Sequence, residues 1–174
     1  MNKYPDLTYT ILSCKELYEE FDYNLVVDWA CNMLEYRYET GHLLLLAATT
    51  KPTNQFECGL YLEKTIEELG LSFIVGENAI IATSWLYINN ICNSLDVRTN
   101  LNKLYSLGAD DYGGGPVGDF VVLYWAWDDL DYSDFQYYWR EDHINNENIE
   151  DFVTYKAFMF KEQYEPLIES LLPQ

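Results

Sequence analysis

Apolar positions recur at helical spacing through most of the first 108 residues. From Asn24 onward, Leu25, Val26, Trp29, Ala30, Met33 and Leu34 fall on one face with Asp28, Asn32 and Glu35 off it, which predicts a helix running to about Tyr38. Ahead of it, Ser13-x-x-Glu16 has the form of a capping box and predicts a short helix reaching about Glu20. Thr40-Gly41 reads as a stop. His42 to Thr50 is a short apolar segment whose Leu and Ala content favours helix, ended by Lys51-Pro52. Asn54-x-x-Glu57 is a second capping box, and Phe56, Leu60, Thr65, Ile66 and Leu69 with Gly70 beyond predict about four turns. Asn78 is placed to cap a helix burying Ile80, Ile81, Trp85, Ile88, Ile91 and Cys92, and Asp96 to cap another reaching Leu107 before Gly108.

Beyond Gly108 the pattern changes. Ala109 to Gly118 contains four glycines and Pro116, which favour a loop over a helix or a central strand. Phe120 to Trp127 is continuously apolar and aromatic; helix is favoured, because an isolated strand has no partner in this chain. Ser133 to Arg140 reads as a short helix. Asn148 is placed to cap a last helix carrying Phe152, Tyr155, Phe158, Met159 and Gln163, kinked or restarted at Pro166. The expectation is an all-α chain, a single helical domain over 1–174 with a Gly-rich loop near 108–118. Its helices would form an irregular array of antiparallel hairpins, α-solenoid-like or an orthogonal bundle, since no repeat of fixed period occurs.

Charge narrows the choice of partner. The 174 residues hold 29 acidic and 10 basic side chains, a net charge of −19, which excludes a general binder of nucleic acid or anionic lipid. Disorder is excluded as well, because apolar residues make up 49% and aromatics 17% of the chain. The charge is uneven. Gly108 to Asp151 carries twelve carboxylates against Arg140 alone, a net −11, interleaved with Tyr112, Phe120, Tyr124, Trp125, Trp127, Tyr132, Phe135, Tyr137, Tyr138 and Trp139. Protein interfaces use aromatic anchors in a desolvated centre with charge steering the encounter. The expected partner-binding residues are therefore Asp110, Asp111, Asp128, Asp129, Asp131, Tyr132, Asp134, Tyr137, Trp139, Glu141 and Asp142, facing a basic protein.

No motif of catalysis accompanies this surface. Cys14, Cys31, Cys58 and Cys92 match neither a metal-knuckle nor a redox spacing and read as buried free thiols. The Gly113 to Gly118 stretch lacks the lysine of a phosphate loop and is flanked by Asp110, Asp111 and Asp119. His42 and His143 belong to no ligand-spaced motif, and Glu141-Asp142-His143 lacks the further ligands an ion needs. Neither a metal nor a cofactor is expected. The N-terminus shows no basic region followed by an apolar core, and the longest apolar run, Leu43 to Ala48, is far short of a membrane span; a cytoplasmic protein is expected.

The helix containing Trp29 and Ala30, the turn Gly41 to Ala48, the helix Glu57 to Gly70 and the acidic aromatic stretch Trp125 to Trp139 resemble, at class level, the small acidic immunity proteins of bacterial toxin systems. That resemblance implies a cytoplasmic, non-enzymatic protein that binds a cognate toxin domain and blocks its active site or an adjacent surface. Two other readings stand beside it: a helical domain binding a small molecule or carbohydrate through Trp and Tyr faces, and a hydrolase using clustered carboxylates with a divalent cation.

Overall fold

The computed structural model describes residues 3–17, 21–108, 114–140 and 143–173. The fold is all-α, with eight helices and no strand among the described residues: α1 (Leu7–Leu17), α2 (Asn24–Glu35), α3 (Gly41–Ala47), α4 (Gln55–Glu68), α5 (Glu77–Cys92), α6 (Val97–Gly108), α7 (Gly118–Leu130) and α8 (Ile149–Leu171). The chain divides into two compact units, Met1–Ala79 with Ser170–Gln174, and Ile80–Glu169.

In the first unit consecutive helices pack on one another, α1 on α2, α2 on α3 and α3 on α4. Its centre is Ile11, Leu12, Val26, Trp29, Met33, Leu43 and Leu46. A buried threonine organises it: Thr8 Oγ1 accepts from Trp29 Nε1 at 3.1 Å and points its own hydrogen at Met33 Sδ, 3.8 Å away. Ser13 does not cap. It lies inside α1, fully buried, where its hydroxyl donates to the Tyr9 carbonyl at 2.8 Å; a serine that bonds back one turn satisfies its hydroxyl without ending the helix. The expected end at Glu20 lies outside the described residues.

Helix α2 stops at Glu35, three residues before the expected Tyr38, because Arg37 adopts a left-handed φ of 66° and the Tyr38 amide reaches back to the Met33 carbonyl at 3.0 Å. This is a Schellman ending. The same six-to-one bond closes α4 from Leu71 to Ile66, with Gly70 at φ 64°, and α5 from Leu95 to Asn90, with Ser94 at φ 54°. Thr40 starts a helix and does not merely follow one: its hydroxyl accepts from the Leu43 amide at 3.3 Å at the head of α3. Asn54 caps α4 as expected, accepting from the Phe56 and Glu57 amides at 3.0 and 3.2 Å. The buried face of α4 is Cys58, Leu62, Thr65 and Ile66, whereas Phe56 and Leu60 point outward.

The second unit is built on α5, which starts at Glu77 with Asn78 inside its first turn and buries Ile81 to Trp85 without a break, then Ile88, Asn89 and Ile91. Helix α6 starts directly after Asp96. Buried Asn100 knits that turn, donating to the Leu95 and Asp96 carbonyls at 2.8 and 3.0 Å and accepting from Asn90 at 3.1 Å. Helix α6 packs on α7, with Tyr105 stacked on Tyr124 at 4.2 Å. Gly108 is a close approach as well as an ending, since a Cβ there would lie 2.8 Å from both Val117 and Val121.

The segment Phe120 to Trp127 is helical, as expected. Ser133 to Arg140 is not helix but a series of bends joined by irregular backbone. Side chains there take the backbone groups a helix would need: Ser133 Oγ accepts from the Phe135 amide at 3.3 Å, and Gln136 clasps the Trp139 amide and carbonyl, both at 2.7 Å. Asn148 precedes α8, but its side chain turns back to the Asn145 amide at 2.9 Å and the His143 carbonyl at 2.8 Å. Helix α8 then passes Pro166 as one element, with no restart. Its buried stripe is Ile149, Val153, Ala157 and Phe160, so Tyr155, Phe158 and Met159 lie outward.

Candidate partner-binding surface

The acidic aromatic segment is displayed by the second unit, from the last turn of α7 through residues 131–140 to the first turns of α8. Asp128 and Asp129 lie in that last turn of α7 and Asp131 just beyond it, at a helix C-terminus whose dipole already disfavours negative charge. A cation from α6 offsets this. Arg98 Nη2 stands 2.9 Å from Asp131 Oδ2 and 3.8 Å from Asp128 Oδ1, and its guanidinium lies 4.9 Å over the Trp127 ring and 5.4 Å over Tyr124. Asp129 has a different task, accepting from the Tyr137 amide at 3.2 Å and so folding the loop back onto α7.

Among the aromatics, Tyr132 and Tyr137 are 88% and 79% exposed. Trp139 is half-buried. Its indole meets the Phe152 ring edge at 5.5 Å and carries the Lys156 ammonium at 4.8 Å, so it fastens the loop to α8. Lys156 also pairs with Asp119 at 3.1 Å, so two more of the local charges are neutralised within the unit. Asp134 is exposed midway along the loop. Asp110, Asp111, Glu141 and Asp142 lie outside the described residues.

Phe135 and Tyr138, each more than half exposed, and Trp125 belong to the same display: Phe135 meets Tyr137 edge to face at 5.4 Å, and Trp125 lies 6.0 Å from Tyr138. Tyr155, Phe158 and Met159 add exposed apolar surface on α8. The signal for these in the sequence was an excess of apolar residues, more than one helical stripe can bury.

No group of three or more His, Cys, Asp or Glu side chains able to hold a metal occurs among the described residues. His42 supports structure in the first unit: its Nδ1 lies 2.6 Å from Glu68 Oε1, and its amide donates to Glu68 Oε2 at 3.1 Å. Hydrogen bonds from the Thr40 hydroxyl and then from His42 bring the Glu68 carboxyl down to about 2. Cys14 and Cys58 are buried, Cys92 is partly so, and Cys31 is exposed on α2, against the expectation that all four are buried. Burial pushes the Cys14 thiol up to about 11 and raises Cys58 and Cys92, the opposite of what a nucleophilic cysteine requires. A pocket of about 300 Å³ lies between Gly115 to Phe120 and α8 residues Lys156, Met159, Phe160, Gln163 and Tyr164.

No helix among the described residues is long and apolar enough to cross a membrane. No family model matches the chain, and neither a curated protein nor a solved structure matches it.

Proposed function

We propose that this chain is a non-enzymatic inhibitory binding protein of the immunity type, acting in the cytoplasm, that neutralises a cognate basic bacterial toxin domain through its acidic aromatic surface. The observation that carries the reading is the outward presentation of Tyr132, Phe135 and Tyr137 on a loop whose flanks are rich in carboxylates. Exposed aromatics in solvent are a standing cost unless something covers them, and they are the residue types that dominate binding energy when covered. The carboxylates draw in a Lys/Arg-rich surface and set the association rate, and the aromatics govern dissociation. Inhibition follows when the covered surface of the target includes or borders its active site. Co-expression with the product of the neighbouring upstream gene tests this. Rescue of a toxic neighbour together with co-purification supports the reading, and a harmless neighbour that forms no complex removes it.

The pocket between the start of α7 and α8 favours a second reading, a small-molecule or carbohydrate site. Its volume of about 300 Å³ is at the small end of ligand pockets, and the Asp119 to Lys156 pair stands in its wall. A screen of saccharides and small aromatic acids by thermal shift checks it, and no shift with any of them sets it aside.

A further inference from the structure

Three of the chain's cations, Lys15, Arg98 and Lys156, are settled by one arrangement. Lys15 lies 4.3 Å over the Phe73 ring with its ammonium 2.6 Å from Glu63; Arg98 lies over Trp127 and Tyr124 beside Asp131 and Asp128; Lys156 lies over Trp139 and Phe152 beside Asp119. Each combines an aromatic face, whose quadrupole attracts a cation, with a carboxylate that fixes its position. The loop after α7 offers the same two components, the exposed rings of Phe135 and Tyr137 with an exposed Asp134 and a half-buried Asp129. Phe135 and Tyr137 form an edge-to-face corner at 5.4 Å; the Asp129 carboxylate stands 3.2 Å from the Tyr137 amide at its base, and exposed Asp134 immediately precedes Phe135.

We infer that the Phe135 and Tyr137 corner, with Asp129 and Asp134, is a receptor for an arginine side chain presented by the basic protein partner. The inference rests on the reading of this surface as a docking face and specifies what that face takes. Arginine suits it better than lysine, because the planar guanidinium is weakly hydrated, stacks on a ring and bonds a carboxylate with two parallel N–H groups. A lysine would gain the same charge attraction but neither the stacking nor the fork.

The test uses the whole chain and two end-blocked peptides, hexa-arginine and hexa-lysine, titrated calorimetrically at about physiological salt, where exposed charges are screened beyond roughly 8 Å. Hexa-arginine is expected to bind about three-fold more tightly or better, the scale of one exposed cation–π contact. Phe135→Leu with Tyr137→Leu abolishes that preference and leaves the lysine affinity in place, while Phe56→Leu, at an equally exposed aromatic on α4, leaves the preference intact. Equal binding of the two peptides, or a preference that survives the double variant, overturns the inference. Should the double variant lose its helical signal, the wild-type ring resonances of Phe135 and Tyr137 decide: shifts with arginine and not with lysine support it, and equal or absent shifts refute it. A lost preference with toxin neutralisation intact removes this inference alone, and an intact preference without neutralisation removes only the inhibitor reading.

Discussion

Arg98, the second residue of α6, holds Asp131 at 2.9 Å across the α6–α7 packing, and with it the point where the exposed loop leaves α7. The guanidinium is half-covered by Trp127 and Tyr124, so its position is set by stacking as much as by charge. Replacing it therefore does two things: it removes a packing surface, and it leaves Asp128 and Asp131 uncompensated at a helix C-terminus. Arg98→Met is expected to cost about 1–2 kcal/mol, the sum of a part-exposed ion pair and a cation–π contact. Asp131→Asn should cost less than half of that. Urea denaturation of the two variants checks the order, and equal costs would mean that the stacking contributes nothing.

Gly108 supplies a sharper stability prediction. Its hydrogen faces Val117 and Val121 at a distance no methyl group tolerates, so Gly108→Ala should force α6 and the head of α7 apart. The expected loss is about 1–3 kcal/mol, the range for overpacking a tight contact. Gly70→Ala meets no atom within 4 Å and suffers only from its positive φ, so about 1 kcal/mol is expected there. A Gly108→Ala protein as stable as wild type would show that the two helices are not held at this separation.

The Glu68 carboxyl, held at about 2 in the folded chain against 4.5 ordinarily, makes stability depend on acid. A depressed carboxyl contributes stability that is fully present above its unfolded pKa and is lost as pH falls through its folded one. Between about pH 4.5 and 2 the wild type should lose stability faster than Glu68→Gln. Denaturant midpoints for the two proteins at several pH values measure it; parallel acid limbs would contradict the assignment.

Thiol reactivity separates the cysteines. With Cys14 raised to about 11 by burial and Cys31 exposed on α2, a thiol reagent at mildly alkaline pH should modify Cys31 in the folded chain, and Cys14 and Cys58 only after unfolding. Fast modification of Cys14 would mean that α1 opens readily.

The helices were legible where a local signal and the tertiary outcome agree. Asn54 and Gly70 bracket α4 because a side-chain acceptor and a residue free at positive φ are local devices. Arg37 and Ser94 take the same backbone conformation as Gly70 without being glycine, so their helix ends carried no composition signal. Ser13 shows the reverse, a capping pattern whose hydroxyl is used inside α1. Residues 133–140 read as helix because periodicity does not register that Ser133, Gln136 and Asp129 bond the backbone instead. Within the candidate surface, charge located the segment, but which aromatics face outward was decided by packing: Trp139 went to α8, whereas Phe56, Leu60, Tyr155 and Phe158, counted as helix stripe, face solvent.

On the proposed function, the loop of Tyr132 and Tyr137 is what a toxic partner meets. The measurement that reaches it most directly is survival on co-expression with the neighbouring upstream gene product, comparing wild type with Tyr132→Ala/Tyr137→Ala at matched expression. Truncating true anchors costs about 2 kcal/mol or more each, at least roughly a thirty-fold loss per residue, and these exposed side chains contribute little to folding. Wild type is expected to rescue growth and the folded double variant is not. Rescue by both would contradict this and place the interface elsewhere on the molecule, and rescue by neither would remove the inhibitor reading.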